Sequence, residues 1–133
     1  MAVAAAFLAR VKGMDILTDR LMGLGVYPAP VFLDWGTGTT TATAADIDLV
    51  TPAAPTATTR VTGTASSVTT TYTKDTAQVT GTITAGGALT IEEVGLFTTA
   101  AGTTNDMFLR ATHGAVVLAT NDSIAYTIKW QIT

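Results

Sequence analysis

The chain has 133 residues, room for one domain with a single core, and no cysteine, so disulfides, thiolate metal sites and thiol nucleophiles are excluded. Charged residues make up only 13% and the net charge is −3, with the basic residues scattered; without a basic stripe, nucleic-acid binding is not expected. So little charge leaves a surface of Thr, Ser, Ala and Gly, which fits either a neutral Thr-rich β protein or a surface partly buried against other chains.

The chain opens Met-Ala-Val-Ala-Ala-Ala-Phe-Leu-Ala-Arg. No basic residue precedes the apolar run, unlike a signal peptide, and the run is too short to span a bilayer. A mature protein made in the cytoplasm, with no membrane partner, is expected. Helical character is confined to residues 2–22, where Phe7, Val11, Met14, Leu17 and Leu21 recur at spacings of three and four. Gly13 weakens the middle, Asp15 to Met22 is the better half, and Gly23 is placed to cap the C-terminus. Gly23-Leu-Gly25 and Pro28-Ala-Pro30 then break regular structure and read as a hinge. The expected division is a helical arm with its Gly/Pro hinge over 1–30 and a β domain over 31–133. Two roles fit the arm: a helix packed on its own domain, or one that docks on a neighbouring subunit or partner. In the docking role, Phe7, Val11, Met14, Leu17 and Leu21 are the contact residues.

Strand signals follow in quick succession. Val31 to Trp35 is a short apolar strand, Gly36-Thr-Gly38 a turn, and Thr39 to Pro55 a Thr/Ala-rich loop. Thr58 to Thr64 and Ser66 to Lys74 read as Thr/Val-rich strands, the second with Val68, Thr70 and Tyr72 on one face. Lys74-Asp75 marks a tight turn. Thr76 to Thr84 and Thr90 to Thr99 are strands on either side of the Ala85-Gly-Gly87 turn, and a loop follows over 100–105. Asp106 to Thr112 and Ala115 to Ala119 read as two further short strands. Asn121-Asp122 turns the chain into Ser123 to Thr133, where Ile124, Tyr126, Ile128, Trp130 and Ile132 alternate with polar or small residues without a break. A chain stopping on such a strand is expected to carry no C-terminal tail for tethering or chemistry. About eight strands without intervening helices predict an all-β antiparallel sandwich, jelly-roll-like in outline.

Catalytic equipment is sparse. His113 is the one histidine, and no serine stands in a nucleophile-elbow motif. Glu92 and Glu93 are strand neighbours facing opposite sides, so they cannot act as one acid/base pair. One of them facing inward needs a partner, which Arg110 in the adjacent strand could supply; two readings stay open, ordinary solvated carboxylates and a structural ion pair between Glu93 and Arg110. Asp34, Asp46 and Asp48 lack the spacing of a calcium loop and read as solvated loop carboxylates. Gly36-Thr-Gly38 does not continue into a phosphate-binding fingerprint. No catalytic residue, metal or cofactor is expected, and the chain does not read as an enzyme.

Trp35-Gly-Thr-Gly-Thr-Thr-Thr-Ala-Thr-Ala-Ala-Asp-Ile-Asp-Leu49, then Ile91-Glu-Glu-Val-Gly-Leu-Phe97, Met107-Phe-Leu-Arg-Ala-Thr112 and Asp122-Ser-Ile-Ala-Tyr-Thr-Ile-Lys-Trp130, resemble in order and spacing segments of small tailed-bacteriophage virion proteins. The resemblance covers roughly residues 35 to 133 and leaves out the arm. It implies a β-sandwich in capsid decoration (cement), or in a tail-fibre, collar or other appendage role. For a decoration protein the implied partners are the major capsid protein and further copies of the chain, as a dimer or trimer, on the outer surface of the virion. A carbohydrate-binding module would want a row of exposed aromatics, whereas Trp35 and Trp130 read as strand core.

Overall fold

The computed structural model describes residues 2–3, 8–9, 11–53, 60–101 and 106–132. Among them the chain forms β1 (Ala2–Val3), β2 (Leu8–Ala9), α1 (Val11–Met22), β3 (Phe32–Gly36), β4 (Val61–Thr62), β5 (Thr64–Val68), β6 (Thr76–Thr84), β7 (Leu89–Phe97), β8 (Met107–Leu118) and β9 (Ser123–Gln131). The strands make one sheet in the order β1-β9-β6-β5 and a second in the order β2-β8-β7-β3-β4. All pairings are antiparallel except β1 with β9. The fold is an all-β sandwich, as the strand spacing predicts, with one helix among the described residues. It is built largely of hairpins: β5–β6 and β7–β8 each pair within one sheet, so the finer jelly-roll label is not carried by these sheet orders.

The core follows from period-two alternation. In β9 the side chains of Ile124, Tyr126 and Ile128 are buried while Ala125, Thr127 and Lys129 face solvent. Val79 and Ile83 of β6, Leu33 and Trp35 of β3, and Ile91, Val94 and Leu96 of β7 meet them between the sheets. Each such Leu, Ile or Val contributes about 1.5–3 kcal/mol on burial.

Several local expectations change. The helix spans Val11–Met22 and not 2–22; β1 and β2 lie within the stretch read as helical. Residues 69–74 are not strand. The Asp75 carboxylate accepts the backbone N–H groups of Thr70, Thr71 and Tyr72, at 2.9 Å each, and bends the Thr tract into a turn. Lys74 sits in the left-handed region at φ 57° and Tyr72 is exposed. The Thr tract therefore offers its backbone to a carboxylate and not to a neighbouring strand. The two short strands expected over 106–119 are one strand, β8, which runs through Gly114 because β7 pairs with both halves.

Candidate functional site

The inner face of the five-stranded sheet fills the sandwich core; its outer face holds most of the buried charge. A bulge between Ile91 and Glu93 shifts the alternation of β7 by one residue. Ile91, Val94 and Leu96 consequently face the core, while Glu93 and Phe97 face outward. In the uninterrupted β7–β8 register that follows, Arg110 stands opposite Gly95 and diagonal to Glu93, whose direct partner is Thr112. Long side chains reach across such diagonals.

The structure brings Glu93 and Arg110 together. Arg110 Nε donates to Glu93 Oε2 at 2.6 Å, and both side chains are fully buried. The other hydrogen bonds of the pair go to the loop between Gly36 and Ala53. Glu93 Oε1 accepts the N–H groups of Gly38 (3.1 Å) and Thr51 (2.8 Å), and Oε2 also accepts that of Val50 (3.1 Å). Arg110 donates to Thr40 O and to Asp46 Oδ2, both at 2.9 Å. The pair thus grips both ends and the middle of the loop and folds it over the sheet. Glycine is required at 36 and 38: a Cβ there would lie 2.4 Å and 2.5 Å from Glu93 Oε1. The Gly36-Thr-Gly38 turn is the notch into which this carboxylate fits.

Beside it, Arg60 is buried and stacks 3.4 Å over the Phe97 ring. It bonds Asp106 Oδ2 at 2.5 Å and Thr99 O at 3.3 Å, with Asp48 and Asp34 carboxylate oxygens at 3.8 Å and 3.9 Å. The three loop aspartates read as solvated are therefore arginine partners: Asp46 faces Arg110, and Asp34 and Asp48 face Arg60. No group of three or more His, Asp or Glu residues is arranged to hold a metal ion among the described residues. Burial pushes the Asp46 carboxyl up, but its bonds to Thr43 and Arg110 outweigh this and hold it below the ordinary value. At Asp48 burial prevails over the Leu49 N–H and Arg60, and the carboxyl is raised.

Arg60 was not singled out by its sequence context. The signal lay in the runs Val94 to Phe97 and Met107 to Leu109, which are apolar without alternation and mark a sheet covered on both faces. Phe97 and Met107 pack outward with Leu49 and Phe32 in a separate small cluster. His113 lies in β8, with Nδ1 2.8 Å from Gly114 O and Nε2 3.3 Å from the hydroxyl of Tyr126. That hydroxyl is pushed well above its ordinary value by burial.

The helix packs on its own domain by one face and leaves Met14 and Leu21 of the predicted stripe exposed. Ile16 is fully buried and Asp19 nearly so, while Gly13 abuts the backbone of β8, where a Cβ would lie 2.2 Å from Phe108 O. Leu17 is half-buried, and Met14 (52%) and Leu21 (80%) are exposed. Phe7 and the side chain of Val11 lie outside the described residues. The packed face is centred on Ile16, next to Leu17 of the predicted stripe, and Gly13 lets the helix approach β8 where no side chain intervenes. Gly23, at φ 67°, caps the helix as expected, and Leu24 N–H reaches Asp19 O at 3.1 Å, the wide bond of a Schellman cap. The segment expected to act as a hinge is tied down. Asp19 accepts the N–H groups of Val26 (2.9 Å) and Tyr27 (3.0 Å), folding the Gly-Leu-Gly turn back onto the helix. That turn displays Met22, Leu24 and Val26, each about two-thirds exposed, beside Leu21.

No helix among the described residues is long and apolar enough to cross a membrane. Compared with models of known protein families, with curated proteins and with solved structures, the chain matches none.

Proposed function

We propose that the protein is a non-enzymatic structural component of a tailed-phage virion, a decoration protein that seats on the major capsid protein of the assembled head. The observation that carries this reading is the ridge of large apolar side chains exposed along α1 and the turn that follows it, Met14, Leu21, Met22, Leu24 and Val26. Large apolar side chains on a monomer surface are usually scattered, and a contiguous group marks a contact surface. The Asp19 tie and the Schellman cap hold the ridge in shape, which lowers the ordering cost of binding. Glu93, Arg110 and Arg60 spend their hydrogen bonds on shaping the outer face of a sheet, which suits a scaffold. The likeness of the segments from Trp35 to Trp130 to virion proteins supports the same reading.

Binding only the assembled shell would stabilise that state by mass action, about 2.7 kcal/mol at a hundredfold excess of free protein over its dissociation constant. A second copy of the chain, in a dimer or trimer, would multiply the contact over a symmetric lattice.

The test is to locate the chain on purified virions by electron microscopy and to repeat the binding with a Met14→Glu, Leu21→Glu variant. Density over the whole head, lost in the folded variant, is the expected result. Density at the tail or collar would move the protein to an appendage. A variant that decorates heads as well as the parent would remove the ridge from the interface.

A further inference from the structure

We infer that the protein binds a small anionic amphiphile, an apolar body bearing one carboxylate, in a cavity where α1 crosses the end of the sandwich. The cavity measures about 220 Å³. Leu17 roofs it from the helix, and Phe108, Ile128 and Trp130 form its walls from β8 and β9. The space arises from small side chains. Ala29, Ala65 and Ala77 line positions where larger residues would close the end of the core. Ala65 and Ala77 are solvent-exposed, so the space is a groove open to solvent at the end of the core, and a concave apolar site with one charged group at its edge is the usual form of a small-ligand site. An apolar cavity of about 150 Å³ already accommodates benzene. This one is large enough for a substituted ring or a short alkyl chain.

The polar groups decide the class of ligand. Arg20 is the one ionisable residue lining the cavity, and no carboxylate lines it among the described residues. Arg20 lies in the last turn of α1 and is solvent-exposed, so its guanidinium can meet an anionic head at the mouth while the apolar body enters. Gln78 and Ser66, also lining residues, are bonded to each other at 3.3 Å, which leaves the arginine as the charged contact. The site shares no residue with the Glu93–Arg110 pair, and the inference does not depend on assembly onto a capsid.

The full-length protein should be titrated with octanoate, 3-phenylpropanoate and 1-octanol, followed by tryptophan emission and by calorimetry. Trp130 lines the cavity while Trp35 is fully buried elsewhere in the core, so a saturable emission change is expected that Trp130→Phe removes and calorimetry still records. Arg20→Gln should weaken the two carboxylates at least about tenfold and leave the alcohol unchanged. Ala77→Phe should abolish binding of all three; if that variant does not fold by circular dichroism, Ala29→Leu takes its place. Failure of all three probes to saturate on the folded parent would overturn the inference. So would binding that survives both cavity-filling changes, or a carboxylate preference that Arg20→Gln leaves intact.

Discussion

Glu93 and Arg110 meet 2.6 Å apart on the outer face of the five-stranded sheet, under the loop from Gly36 to Ala53, and not between the two sheets. The pair is buried because the loop covers it, and the loop stays in place because the pair accepts and donates its backbone hydrogen bonds.

Removing one partner leaves a buried charge without compensation. Arg110→Met or Glu93→Leu is expected to cost about 3–5 kcal/mol in urea unfolding. The double change should cost markedly less than the sum of the two. Proteolysis should cut first within residues 37–51 in the single variants. Additive losses would mean that the two residues act independently.

Gly13→Ala sets two effects against each other. Alanine gains roughly 1 kcal/mol of helix propensity. The new Cβ, 2.2 Å from a backbone oxygen of β8, forces the helix away at a cost of about 1–3 kcal/mol. Net destabilisation by thermal unfolding is expected, and a raised Tm would show that the helix does not seat on Phe108.

The orientation of the helix is tested by a contrast. Ile16→Ala should cost about 2–5 kcal/mol, since the side chain is fully buried. Leu21→Ser should stay within about 0.5 kcal/mol of the parent. Equal effects at the two positions would return the helix to the face its apolar spacing suggested.

Acid sensitivity should trace to Asp75. Hydrogen bonds from Tyr72, Thr70, Thr71 and Gln131 hold its carboxyl well below the ordinary value of 3.8, against a smaller opposing effect of burial. With the folded value depressed, the stabilisation is present above the unfolded value and is lost as pH falls below about 3.8 toward the folded value. Asp75→Asn should flatten stability in that acid range. Because Gln131 Nε2 also donates to this carboxylate, amide exchange near the end of β9 should quicken in the variant. An unchanged acid profile would place the sensitivity elsewhere, with Asp46 the next carboxylate to examine.

Much of the architecture was legible in the residues themselves. The alternation from Ile124 to Trp130, the β6 strand with its flanking turns and the Gly23 cap all depend on neighbours a few positions away, so local pattern and turn chemistry specified them. The adjacency of Glu93 to Arg110 was readable because strand neighbours face opposite sides and the two strands follow in sequence. Tertiary structure decided the rest. The Thr69-Thr-Thr71 tract suits a strand until Asp75 offers its carboxylate to the same backbone N–H groups. Arg60 gains its role from residues as distant as Asp106, and the helix turns Ile16 inward because the backbone of β8 meets Gly13. Period and turn signals are carried by a few adjacent residues; which face of a sheet or helix is covered depends on where distant segments come to lie, and only packing settles that.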